Sequence, residues 1–269
     1  KDASGRYFVN PDAENLNHLA DNYYQNMLAV ASTEVIQTDL MNMYGERKAG
    51  KPVYKDFEDA SHTAVTTLTP PQGLPVIIGL DQGLTPAAAF TYQAMDGTLC
   101  IFDEISTEDC SLKEFAESYL WPKINTKYPW IKKNFVCVID PAAAQRSMND
   151  AKAGLEILKE AGLPVKLAKS NSPVERREAV THFLLLRDKF KLSPDCHMLR
   201  RGFISEYKYE ERRAVSGERF KDKPLKNMYS HVHDALQYAA MEYVGSRKRN
   251  KFINQHPKKY TVASTIGGY

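Results

Sequence analysis

Short apolar strands alternating with capped helices predict an α/β fold built on a mixed sheet. Three observations carry that prediction. Pro75 opens PVIIGLD, TPAAAFTYQAM follows, and the pair Asp96-Gly97 leads into TLCIFDEI; Asp-Gly favours a tight hairpin turn, so these are three strands joined in sequence. FVCVID, residues 135–140, is an uninterrupted apolar run, as expected of a strand covered on both faces. Helical patterns stand between the later strands, at the spacing that clothes the faces of a sheet.

Taken in order, residues 12–44 contain two helices, the second introduced by Ser32 and Thr33 and stopped at Gly45, as hydroxyl N-caps and a C-terminal glycine dictate. Residues 46–75 read as loop, ending in the stiff stretch TLTPPQGLP. After the three hairpin-linked strands, Ser111 and Glu114 form a capping box that opens a helix through about Leu120. A helix over 149–161, a strand PVKLA over 164–168 and a helix over 173–190 follow, the last with Pro173 in its first turn. EYKYEERRAVSGERFKD reads as a polar hairpin around Ser216-Gly217, and the final helix begins near Ser230 and runs through HVHDALQYAAMEYV. Domain boundaries are placed accordingly: a helical linker segment over 1–74, the main domain over 75–245 and a basic flexible tail over 246–269.

Composition excludes several classes. No apolar run approaches the roughly 20 residues of a membrane span, and KDASGRYFVNPDAEN has no core for a secretion signal. A chain that opens without Met is expected to be a piece of a longer one. Cys100, Cys110, Cys137 and Cys196 are scattered without a C-x-x-C pair, which points to reduced thiols and away from zinc or a disulfide framework. The net charge of +3 conceals an asymmetry: residues 1–140 sum to −8 and 141–269 to +11. A polyanion would be drawn to the second half.

Two motifs mislead. Gly45 through Lys51 matches most of a P-loop, but Pro52 stands where that loop needs a hydroxyl for magnesium and a backbone N–H for phosphate. Leu99–Glu104 resembles the strand ending in Asp-Glu that accompanies P-loops; without a phosphate loop it reads as a strand ending in two solvated acids, the alternative being Glu104 as an accessory acid for the site described next.

Asp81 ends one apolar strand and is followed by Gln82-Gly83; Asp140 ends another and is followed by Pro141; Asp234 lies in the first turn of the last helix. If the two strands are neighbours, Asp81 and Asp140 leave the same sheet edge, and a helix packed there brings Asp234 to them. Carboxylates that close repel unless cations lie between them. Oxygen ligands of this kind suit Mg²⁺ or Mn²⁺, and two such ions about 3.5–4 Å apart support phosphodiester hydrolysis. His231, three residues before Asp234, shares its helix face and is a candidate metal or water contact; His233 does not share that face and reads as packing.

GLDQGLTPAAAF, CVIDPAA and KPLKNMYSHVHDALQYA, with NPDAENLNHLADNYY and GKPVYKDFEDASHTA before them, together resemble the nuclease domain of a tailed-bacteriophage large terminase over residues 8–245. The resemblance implies an RNase H-like fold in which Asp81, Asp140 and Asp234 hold two divalent ions and cut double-stranded DNA. It also implies cleavage of concatemeric viral DNA at the start and end of packaging, in the host-cell cytoplasm at the procapsid portal. Portal protein, a small terminase subunit and an ATPase domain preceding residue 1 are the implied partners. With no credible P-loop, the chain itself is expected not to hydrolyse ATP.

The candidate DNA contacts form two groups. Arg200, Arg201, Lys208, Arg212, Arg213, Lys221, Lys223 and Lys226 lie before, in and after the polar hairpin, while Lys166, Lys169, Arg176 and Arg177 lie near a strand end and helix start. Both suit phosphate contact without base reading. Three rivals stand beside this reading: a Holliday-junction resolvase-like nuclease, distinguished by preference for branched DNA; an actin-like ATPase, which lacks here the second Gly-rich Asp motif it requires; and a binding module that has lost catalysis, against which all three acids are present.

Overall fold

The computed structural model describes residues 51–83, 85–144, 153–211 and 220–255; the helices expected over 12–44, most of the P-loop-like stretch and residues 256–269 lie outside them. The compact unit runs from Pro52, earlier than the composition break at Pro75, because Tyr54 and Phe57 bury their rings in the core.

Six strands form the sheet: β1 (Val76–Asp81), β2 (Ala87–Gln93), β3 (Leu99–Ser106), β4 (Phe135–Ile139), β5 (Val165–Leu167) and β6 (Phe190–Leu192). Their order across the sheet is β5-β4-β1-β2-β3-β6. β1, β2 and β3 pair antiparallel as the turns require. β4 adds parallel to β1, β5 parallel to β4, and β6 parallel to β3. In the β1–β4 ladder Leu80 faces Ile139, so Asp81 and Asp140 occupy the next positions on adjacent strands, which lie about 4.8 Å apart in any sheet.

Period-two alternation sorts the sheet into two cores. Ile78, Leu80, Phe90, Phe102, Cys137 and Ile139 face one side, covered by α1 (residues 112–127) and α2 (Gly154–Glu160). Ser111 caps α1, its Oγ accepting from Glu114 N at 3.2 Å. This helix passes Leu120 and contains a π turn, Phe115–Leu120, where Trp121 N–H donates to Ala116 O. Pro122, one residue on, has no N–H to continue the α ladder, and a local widening absorbs the fault. α2 covers part of the helix expected over 149–161; residues 145–152 lie outside the described residues.

The opposite face carries α3 (Pro173–Leu185) and the last helix, α5 (Met228–Gln255). Between them lies α4 (His197–Arg201), extended by a π turn over Gly202–Glu206; the sequence pattern gives no sign of either. α5 continues past Val244 into the stretch expected to be a flexible tail. Its residues Val232, Ala235, Leu236, Ala239, Ala240 and Tyr243 are buried at the three- and four-residue spacing of one helix stripe.

The expected helix over 173–190 is corrected. α3 stops at Leu185, Leu186 is extended, Asp188 turns the chain at φ 56°, and β6 joins the sheet edge opposite Leu99. Phe190 and Leu192 alternate with Lys191, the period of a strand. The polar hairpin is present as β7 (Lys208–Glu211) and β8 (Phe220–Pro224), paired antiparallel; its tip, with Arg212 and Arg213, lies outside the described residues. All four cysteines are buried and free. No helix among the described residues is long and apolar enough to cross a membrane.

One glycine decides how closely α5 approaches. A Cβ on Gly79 would stand 1.9 Å from Ala235 O and 3.0 Å from Ala239 N. With only hydrogen there, the helix backbone rests directly on β1, two residues from Asp81.

Candidate functional site

A single stripe of α5 addresses all three acids. His231, Asp234 and Tyr238 stand at i, i+3 and i+7, hence on one helix face. His231 Nδ1 is 2.8 Å from Asp81 Oδ2. Tyr238 donates its hydroxyl to Asp140 Oδ2 at 2.7 Å. Asp234 lies between them in sequence and is 5% exposed. The helix start is fixed by reciprocal capping: Ser230 N–H donates to Asn227 Oδ1 at 3.0 Å, and Asn227 N–H to Ser230 Oγ at 3.2 Å.

Each carboxylate is already engaged. Asp140 Oδ1 accepts from Ala142 N at 2.8 Å in the short turn after β4. Burial raises the Tyr238 hydroxyl above its ordinary range, and its hydrogen bond to Asp140 adds to that, so it remains a donor. Asp234 Oδ2 is held by Lys226 Nζ. Arg176 Nη1 lies 3.8 Å from Asp234 Oδ1, and the Tyr207 hydroxyl donates to the same oxygen over a long 3.5 Å. The Arg176 guanidinium also lies over the Tyr238 ring, 4.6 Å from its centroid, so one partly buried cation touches Asp234 and the support of Asp140. From Asp234 a buried chain runs inward: Gln237 Nε2 donates to both the Tyr207 and Tyr54 hydroxyls, at 3.1 and 3.0 Å.

Among the described residues, no three His, Cys, Asp or Glu side chains converge closely enough to hold a metal ion. The donor set nonetheless fits a hard divalent cation: three carboxylates, no thiolate, and one imidazole at the margin. Among the described residues, Lys226 and Arg176 are the lysine and arginine paired with these acids, both at Asp234.

Glu104 stands apart from this stripe. Its carboxylate accepts from Met198 N at 2.6 Å and Leu199 N at 2.9 Å, capping α4. Burial pushes its pKa up to about 7 against the lowering effect of those two N–H groups. Because the folded value is raised, folding favours the protonated acid. Its contribution to stability is therefore complete below the ordinary carboxylate pKa and declines as pH rises towards about 7. Glu104→Gln is expected to flatten the fall in denaturation midpoint between pH 4.5 and 8; an unchanged profile refutes that assignment. Asp103, its neighbour, is buried rather than solvated, because the strand continues to Ser106 and Lys123, Lys127 and Tyr128 all donate to its carboxylate on the other face of the sheet, at 2.7–2.8 Å.

Of the basic candidates, Arg176 and Lys226 meet at Asp234, while others are committed elsewhere. Arg200 forms a two-point pair with Asp59 at 2.8 and 2.6 Å. Lys166 pairs with Glu242 and Lys221 with Glu210, each at 2.7 Å. Arg201 lies over the Tyr229 ring. His233 is packed as expected: its ring is stacked 4.6 Å from Tyr207, burial lowers its pKa to about 3, and Gly202 leaves room for it, since a Cβ there would stand 2.1 Å from Nε2. Tyr238 is absent from the sequence-derived candidates, although its spacing from His231 and Asp234 is a readable signal. Tyr207, Gln237 and the approach of Arg176 to Asp234 carry no such signal.

Three antiparallel strands extended by parallel ones, with acids at the ends of β1 and β4 and a third on the helix crossing them, make this an RNase H-like α/β fold. No family model matches the sequence, and no curated protein matches it. Among solved structures, the large terminase of a thermophilic bacteriophage is similar at a TM-score of 0.55 and 21% identity, over 83% of this chain and 52% of that one. The complex of the same terminase with ADP gives 0.55 at 20%, over 82% and 51%. The nuclease domain of the P22 large terminase gives 0.54 at 14%, over 71% of this chain and 91% of that one. The chain thus spans about half the length of the thermophilic phage's terminase, and the likeness is one of fold.

Proposed function

We propose that this chain is the metal-dependent endonuclease portion of a phage large terminase, cutting double-stranded DNA by two-metal phosphodiester hydrolysis. The observation that carries the proposal is that one stripe of α5 bears Asp234 and also reaches the two strand-end acids, His231 to Asp81 and Tyr238 to Asp140. Asp81, Asp140 and Asp234 would hold Mg²⁺ or Mn²⁺, with His231 as an accessory contact; bound there, the ions supply an activated water and charge stabilisation at the leaving oxygen. Asp140 is oriented for this by Tyr238 and Ala142 N, and Asp81 by His231. Lys208, Lys223 and Lys226, at the hairpin base, supply phosphate contacts, and Lys169 and Arg177 supply a second set; Lys221 and Lys166 join them by exchanging Glu210 and Glu242 for phosphate.

The similarity in fold to terminase nuclease domains supports the wider role: cutting concatemeric DNA during packaging in the host cytoplasm, as part of a longer chain with an ATPase domain, in company with portal and small subunit. Supercoiled plasmid incubated with Mn²⁺, Mg²⁺ or EDTA tests the chemistry. Nicking and linearisation with either metal, abolished by EDTA, is the expected result. Cutting that persists in EDTA refutes it, and cutting confined to branched substrates replaces it with the resolvase-like reading.

A further inference from the structure

Asp234 carries two cations of different kinds. Arg176 is nearly enclosed, its side chain 12% exposed, and is packed on Tyr238; it is a fixed partner for Oδ1. Lys226 approaches Oδ2 from the solvent side, with a side chain 68% exposed against 7% for Asp234. Its backbone is anchored at both ends: Leu225 N donates to Lys208 O at 2.8 Å at the hairpin base, and Asn227 Nδ2 donates to Glu206 O at 2.9 Å while Asn227 caps α5. Only the flexible stem of Lys226 is free to move.

We infer that Lys226 is an internal cation that occupies Asp234 until a divalent ion and a DNA phosphate replace it. Four observations point the same way. Lys226 holds Asp234 Oδ2 through a side chain that is 68% exposed, so an incoming cation can reach and displace it. The three carboxylates do not converge while each keeps a protein partner. Water and a phosphate can take over the exposed Lys226 ammonium, while the buried Asp234 gives it up only to another cation. The strand leading to it presents Lys221 and Lys223, so a duplex lying along the hairpin base offers Lys226 a phosphate when it leaves Asp234. Metal binding and DNA binding then favour each other, and by linkage the coupling is the same in both directions. This inference rests on the nuclease reading and adds to it a control of when the site loads.

Mn²⁺ binding to the full chain, followed by electron paramagnetic resonance of the free ion, tests it without reference to cutting. Lys226→Gln is expected to bind Mn²⁺ about tenfold more tightly than the parent. Lys226→Arg, which keeps a cation against Asp234, and Lys189→Gln, which removes one charge elsewhere, are expected to stay within about twofold of it. A short duplex with phosphorothioate linkages should tighten Mn²⁺ binding about fivefold in the parent and leave Lys226→Gln unchanged. If the parent binds Mn²⁺, loses it on Asp234→Asn, and yet is matched by Lys226→Gln in affinity and in response to duplex, the lysine has no such role and the nuclease reading stands. If the parent binds no Mn²⁺ and cuts no plasmid, both fall.

Discussion

Asp140→Asn is expected to lower metal-dependent plasmid cutting by about a thousandfold with the fold intact. Asparagine has the same shape, and its carbonyl can still accept from Ala142 N, as Asp140 does at 2.8 Å. Its amide can donate to the Tyr238 oxygen in place of the bond the tyrosine now donates. What disappears is the negative charge, and a neutral amide is a poor ligand for a hard cation. Several kcal/mol of charge stabilisation goes with it, at tenfold in rate per roughly 1.36 kcal/mol. Tyr238→Phe leaves the carboxylate in place and removes only its orientation, which is worth about 10–100-fold in metal affinity or rate. Cutting rate and melting temperature measured together separate the two effects. Full cutting by Asp140→Asn would remove this residue from the site.

Gly79→Val is expected to prevent stable folding. The first carbon of any side chain there would stand 1.9 Å from Ala235 O, and the obstacle is helix backbone on one side and a central strand on the other. Overpacking a core usually costs about 1–3 kcal/mol because side chains rearrange; here no flexible group can yield, so the cost exceeds that range. α5 would have to lift from β1, taking His231 away from Asp81 and Asp234 away from the sheet edge. Gly83→Ala is the control: a Cβ there would meet nothing nearer than Thr85 N at 3.9 Å, and its stability should match the parent. Thermal denaturation of both variants decides the matter, and a Gly79→Val protein as stable as the parent would mean that α5 sits otherwise than described.

The sequence alone determined the central strands and the elements that carry the three acids. Asp96-Gly97 dictated a hairpin through local backbone preference, and FVCVID dictated a buried strand because five apolar residues in a row leave no face for water. Strand-end positions of Asp81 and Asp140 followed from those runs. The sequence pattern puts Asp234 on the last helix but a turn too early, since the helix starts at Met228 and carries no acid in its first turn. Signals confined to a few neighbouring residues are legible in this way.

Tertiary structure decided what depends on distant partners. The alternation in Phe190–Leu192 spans only three residues, too few to separate a strand from the end of the preceding helix in the sequence, and β6 is fixed as a strand by pairing with Leu99 and its neighbours. Glu104 looks like one more acid at a strand end, but the register of β3 and the arrival of α4 give it two backbone N–H groups to hold. Arg200 reads as a surface cation until Asp59 is seen beside it. The cations at Asp234 come from α3 and from the hairpin's return, segments that no local pattern connects to the last helix. Charge pairing acts through space at about 3–4 Å, whereas propensity and periodicity act along the chain, and only the folded arrangement brings the two together.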